Sequence, residues 1–164
     1  MEDRQLTCCF TGHRPEQIPP QHVDAIHWRL REQIERAVRD GYTHFISGMS
    51  RGIDLYAARI VLDFKEEHPS IRLEAAVPCL GQSDRWSAED RRVYSELLAR
   101  CDVVTCLSRT YTKNCMILRN DYMVKHSARV IAYYNGSETG GTAATVKMAQ
   151  RAGIELINIY GEDL

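Results

Sequence analysis

The chain has 164 residues, 44% of them hydrophobic and 26% charged, with 21 Lys and Arg against 22 Asp and Glu. That length suits one domain over residues 1–164 with a single sizeable core, and the near-average composition excludes disordered, collagenous and coiled-coil classes. A formal charge of -1 argues against general affinity for nucleic acid or an anionic membrane, while leaving room for a local basic pocket.

In chain order, residues 6–10 read as a short apolar strand. Residues 23–40 carry Val23, Ile26, Leu30, Ile34, Ala37 and Val38 at three- and four-residue spacings, a helical stripe stopped by Gly41. Residues 42–47 read as a second strand, and residues 54–68 as a second helix with Leu55, Ala58, Val61 and Leu62 on one face. Residues 72–77 form a third strand closed by Pro78. Ser87-Ala88-Glu89-Asp90 resembles a capping box and opens a helix running to about residue 100. A fourth strand (103–107), a helix (117–126), a fifth strand (130–134), a last helix (142–151) and a final strand (155–159) complete the chain.

Six short apolar strands alternating with five helices imply strands covered on both faces. The expected fold is therefore α/β, a three-layer, doubly wound, Rossmann-like arrangement around a mostly parallel sheet of about six strands. The strand order 3-2-1-4-5-6 is expected from fold analogy alone.

No run approaches the ~18 apolar residues of a membrane span. Residues 1–5 lack an apolar leader, so a cytoplasmic location without membrane contact is expected. The six cysteines (8, 9, 79, 101, 106 and 115) show no Cys-x-x-Cys pair, and no metal site is expected. Cys8, Cys9 and Cys106 lie in apolar runs and read as small buried hydrophobes. Cys115 reads as an ordinary residue of a polar loop.

In an open parallel sheet, ligands bind beyond the carboxyl ends of the strands, so the loops there carry the functional argument. After the first strand comes Thr11-Gly12-His13-Arg14-Pro15, where a glycine lets backbone approach a ligand and Arg14 offers a fork for phosphate or carboxylate. After the second comes Ser47-Gly48-Met49-Ser50-Arg51-Gly52-Ile53-Asp54, whose amides precede a helix and read as an anion cradle. Asp54 either complements the helix dipole or binds ribose hydroxyls. After the fifth comes a loop ending Gly140-Gly141-Thr142, a second cradle. On the helix before that strand, Arg119 and Met123 share a face, with Asn120 and Asp121 between them. Arg119 there would reach a phosphate, and Asp121 would be the nearest general base. Trp86 either stacks on a base or staples its helix.

The Ser47–Asp54 segment resembles the SG-x-[AS]-RGID segment of the DprA/Smf DNA-processing family. Arg119-x3-Met123 followed by Gly140-Gly141-Thr142 is similar to motifs of the cytokinin-activating LOG family. Both families belong to the SLOG superfamily of Rossmann-like nucleotide-binding domains. The layout from Thr11 to Thr142, including Pro78, Trp86, Tyr133 and Tyr134, is most similar to its bacterial YpsA-like branch.

The resemblance implies that Gly12, Ser47, Gly48, Arg119, Gly140, Gly141 and Thr142 surround a nucleotide-derived ligand; a nucleotide or NAD-derived molecule is the one cofactor-like ligand considered. LOG enzymes carry a glutamate three residues beyond the threonine, where this chain has Ala143-Ala144-Thr145. Three functions follow as expectations. The first is a binder or sensor of a nucleotide or NAD/ADP-ribose-like metabolite, contacting it through Thr11, Gly12, His13, Arg14, Ser47, Gly48, Gly52, Asp54, Arg119, Asn120, Gly140, Gly141 and Thr142. The second is a phosphoribohydrolase using Asp121 or Asp54. The third, ranked last because the chain is nearly neutral, is single-stranded DNA binding. The expected partner is a small nucleotide-like molecule, with a homodimer left open.

Overall fold

The computed structural model describes residues 3–164; Met1 and Glu2, part of the stretch on which the expected location rests, lie outside the described residues. Along the chain run β1 (Thr7–Gly12), α1 (Val23–Arg39), β2 (His44–Ser47), α2 (Ile53–Glu67), β3 (Arg72–Val77), α3 (Ala88–Ala99), β4 (Val103–Cys106), α4 (Cys115–Lys125), β5 (Arg129–Tyr133), α5 (Gly141–Ala152) and β6 (Glu155–Asn158). Single 3-10 turns at Arg4–Leu6, Pro15–Gln17 and Pro20–His22 were not legible in the periodicity.

Local chemistry explains the boundaries. The apolar stripe of α1 buries Ile26, Leu30, Ile34 and Ala37. It ends where Tyr42 N–H bonds Ala37 C=O at 3.0 Å and Gly41 N–H bonds Val38 C=O at 3.1 Å, the paired bonds of a glycine-terminated helix. The start of α3 is fixed by Ser87 Oγ, which accepts the Asp90 N–H at 3.1 Å. Trp86 packs edge-on against Tyr94, one turn further along than a staple requires, with ring centroids 5.2 Å apart.

All five strand pairings are parallel, in the order β4-β3-β2-β1-β5-β6. The α/β three-layer expectation holds, but the expected order does not: β4 lies outside β3 at the sheet edge rather than beside β1. The chain steps outward from β1 to β4, then recrosses the sheet to place β5 beside β1. Right-handed crossovers are compatible with either step direction, so the rule that predicted the layers could not choose the order.

The reversal sorts the helices. Cys8, Phe10, Phe45, Leu73 and Ala75 face α1, α2 and α3 in the larger core. Cys9, Ile46, Ala76, Val130 and Ala132 face α4 and α5 through Met123, Val146 and Ala149.

The edge position also corrects the cysteine reading. Cys106 on β4 is exposed, whereas Cys115 is buried at the start of α4. An apolar run predicts a strand but not how many neighbours the strand has. No helix among the described residues is long and apolar enough to cross a membrane.

Candidate functional site at the β1–β5 switch point

Strand order reverses between β1, which leads toward β2, and β5, which leads toward β6. Neighbouring connections diverge to opposite faces there and leave a crevice beyond the strand ends. A cleft of about 90 Å³ occupies it, lined by Thr11, Gly12, His13, Arg14, Gln17, Ser50, Asp54, Arg119, Asn120, Met123, Gly141 and Thr142. It opens onto a groove of about 950 Å³ that shares Arg14, Ser50, Arg119, Asn120 and Gly141. The groove adds Arg51, Arg85, Arg109, Trp86, Tyr111 and Met116 to its walls.

The β2–α2 loop is closed upon itself. Ser47 Oγ donates to Asp54 C=O at 2.9 Å and accepts the Met49 N–H at 3.1 Å, while the Ser50 N–H bonds Asp54 Oδ2 at 3.3 Å. Met49 is buried at φ +59°, a left-handed conformation that costs a non-glycine residue on the order of 1 kcal/mol or more. The loop thereby spends part of its hydrogen-bonding capacity on itself. Two of its amides already have partners, and Ser47, Gly48 and Gly52 do not line the cleft.

Arg119 lies beneath this loop, only 3% exposed. Its Nη1 donates to Gly48 C=O and, at 3.4 Å, to Ala76 C=O. Nε donates to Asn120 Oδ1 at 2.8 Å and Nη2 to Ser50 Oγ at 3.3 Å. Most of the guanidinium thus supports the loop rather than a ligand, although it still forms part of the cleft wall. Burial draws its pKa down, and the charge of Asp54 opposes that shift.

Asp54 is itself buried. Desolvation lifts its carboxyl above the usual carboxylate range, against the pull of Arg119, the Ser50 N–H and Arg14. Gly48 is the residue that lets these groups gather. A Cβ there would stand 2.7 Å from Arg119 Nη1 and 2.9 Å from Asp54 Oδ2. Gly12 also has a packing reason, since a Cβ would lie 2.3 Å from Ile53 Cγ1. The glycine expected to admit a ligand primarily admits helix α2.

The β5–α5 loop differs. Gly140 caps α5 without any side-chain cap, and no acidic residue lies in the first turn. Among the described residues, no acceptor meets the amides of Gly140, Gly141 or Thr142. Gly141 and Thr142 line the cleft; Gly140 does not.

The cleft wall also carries the exposed Arg14, which makes no ion pair among the described residues, and Asn120, whose Nδ2 lies beside Gly141. His13, 4% exposed, ties the β1 and β5 loops together by accepting the Asn135 N–H on Nε2 at 3.2 Å. That bond requires an unprotonated Nε2, and burial lowers the imidazole pKa.

Asp121 does not join the site. It sits on the outer face of α4, with Oδ2 2.8 Å from Lys125 Nζ. The helical period that aligned Arg119 with Met123 turns residue 121 away from them. Gln17, from the 3-10 turn, and the groove residues Arg85, Arg109 and Met116 were missed. None belongs to a motif, and Gln17 reaches the cleft only through a turn without periodic signal.

This fold, with its cleft at a strand-order reversal, defines a Rossmann-like α/β protein. The family model described as the YspA SLOG family, YpsA, matches residues 8–159. The chain belongs to that family. It is 27% identical over 150 residues to a UPF0398 protein of Bacillus thuringiensis, covering 87% of this chain and 82% of that one. It is also 27% identical over 124 residues to a UPF0398 protein of Halalkalibacterium halodurans, covering 74% of this chain and 66% of that one.

Among solved structures it is similar to DNA processing protein A from Helicobacter pylori, a protein with a single-stranded DNA binding mode. That likeness has a TM-score of 0.62 at 17% identity and covers 91% of this chain but 63% of the other, and it concerns the fold alone.

Proposed function

We propose that the cleft binds a nucleotide-like metabolite, of mononucleotide or NAD/ADP-ribose type. The anionic group would sit on the Gly141 and Thr142 amides, with the remainder in the groove. The observation that carries this reading is the run of unpartnered amides at the start of α5, which share the lining of a cleft at the switch point with Arg14 and Asn120. Helix N-termini favour anions through these free N–H groups and the helix dipole. The groove supplies Trp86, Tyr111 and Met116 for a planar base, and about 950 Å³ lies within the ordinary range for small-molecule sites.

Calorimetry against a panel of nucleotides and NAD derivatives tests the reading. Binding is expected for at least one member and is weakened roughly tenfold or more in Arg14→Ala, as for loss of a charge-assisted hydrogen bond. Silence across the whole panel overturns it. Should the same cleft cleave an N-glycosidic bond, Asp54 is the only carboxylate among its lining residues, so the hydrolytic version rests on that residue and no longer on Asp121.

A second reading is single-stranded nucleic acid along the same groove. Arg14, Arg51, Arg85 and Arg109 flank Trp86 and Tyr111, the pairing of cations and stacking rings such grooves use. The net charge of -1 disfavoured nucleic acid, but it averages over the chain and is blind to this local arrangement. The H. pylori protein of similar fold binds single-stranded DNA, which does not fit that expectation. A gel shift at low salt that disappears in an Arg85→Ala/Arg109→Ala variant would favour this reading, and no shift removes it.

A further inference from the structure

The cleft is lined mainly by hydrogen-bond donors, yet one wall is a buried carboxylate. Asp54 is 7% exposed and lines the cleft. Its Oδ2 takes the Ser50 N–H at 3.3 Å, and among the described residues no donor reaches Oδ1. The same cleft is lined by Gly141 and Thr142, whose amides are free, and by Arg14.

A carboxylate only accepts hydrogen bonds, and so do the oxygens of an ionised phosphate. A bare phosphate in this cleft would satisfy the α5 amides and leave Asp54 Oδ1 facing like charge. A ligand that satisfies both walls must present donors a few atoms from its phosphate. Vicinal sugar hydroxyls do this.

We propose that the cleft selects ribose phosphates over deoxyribose phosphates: Asp54 Oδ1 accepts from the vicinal hydroxyls of a ribose whose phosphate rests on the α5 amides and Arg14. The inference deepens the nucleotide reading and depends on it. It assigns Asp54 a recognition role, separate from any cleavage chemistry. It also sets the two readings of the groove against each other, because a single-stranded DNA ligand lacks the 2′-hydroxyl.

The test is calorimetry, in chelator-containing buffer, with each of the four ribonucleoside 5′-monophosphates, its 2′-deoxy counterpart, and inorganic phosphate. For at least one base the ribonucleotide is expected to bind tenfold or more tighter than its deoxy form, with inorganic phosphate weaker than both. In Asp54→Asn the amide oxygen can keep the Ser50 N–H while a donor replaces the acceptor facing the cleft. This variant is expected to bring the ribo and deoxy affinities within about twofold and to bind inorganic phosphate more tightly.

If Asp54→Asn fails to fold, as thermal denaturation would report, the matched-pair comparison on the unaltered chain decides alone. Equal affinity for ribo and deoxy partners, or a preference for deoxy, overturns the proposal while leaving the anion site standing. No binding of any monophosphate or of phosphate removes the anion site as well.

Discussion

Two loops of this protein look alike in sequence and behave differently in the structure. Residues 47–52 and 135–140 both contain two glycines and serine, follow the strands β2 and β5 that flank β1, and deliver a glycine at positive φ to a helix start, Gly52 at +91° and Gly140 at +106°. The first is buried and bonded to itself; the second offers its helix amides to the cleft. The difference lies in the first turn of the helix that follows. Helix α2 carries Asp54 there, which takes the Ser50 N–H, and Arg119 lies beneath as counter-charge. Helix α5 has no acid in its first turn. A helix start that brings its own carboxylate supplies its own anion, and one that lacks it remains open to an external one.

The largest effect should come from removing the support of the closed loop. Arg119→Ala removes its charge-assisted bonds to Gly48 C=O and Ser50 Oγ and deprives the buried Asp54 of this counter-charge, and a cost of about 3–5 kcal/mol is expected in chemical denaturation. A loss below about 1 kcal/mol would mean the loop does not depend on the guanidinium. Glycine substitutions sharpen the contrast. Gly12→Ala must push Ile53 out of its buried position and should cost about 1–3 kcal/mol. Gly141→Ala meets only Asn120 Nδ2, at 3.9 Å, and should leave the thermal midpoint nearly unchanged, within about 0.5 kcal/mol.

The contact joining the β1 and β5 loops has a pH signature. His13 accepts from Asn135 only when Nε2 is unprotonated, and its folded pKa is depressed by burial. Its stabilising contribution is therefore complete above the unfolded value of about 6.5 and is lost as pH falls through the folded value. Denaturation midpoints of the unaltered chain and His13→Gln should converge as pH is lowered through that range. A constant difference would assign His13 to packing alone. A comparably small effect belongs to Asp121→Asn, which removes one exposed pair with Lys125. It should cost about 0.3–0.5 kcal/mol and leave nucleotide affinity unchanged. A large loss of affinity would return Asp121 to the site.

Much of the molecule was readable in one dimension. The apolar stripe from Ile26 to Ala37, the cap at Ser87 and the stop at Gly41 are local signals, governed by bonds within a few residues, and each lies where the pattern put it. The cleft was half legible. Thr11, Gly12, His13, Arg14, Asp54, Arg119, Asn120, Gly141 and Thr142 line it, because strand-end loops must gather where parallel strands finish. Roles were harder. Arg119 and Gly48 looked like ligand contacts and prove to be partners of one another; whether a donor is free depends on who stands beside it, and that neighbour lies 71 residues away.

The order of residues by itself determined the alternation of strands and helices, the parallel layered class and which loops could meet a ligand. These follow from periodicity, chain-local capping and the handedness of crossovers. Tertiary structure alone decided that β4 would take the edge and expose Cys106, that Asp121 would face outward, and that one of two similar loops would bond its own amides while the other would not. Each of those outcomes rests on which distant groups are neighbours. Adjacency sets solvation and hydrogen-bond satisfaction, and no local pattern encodes it.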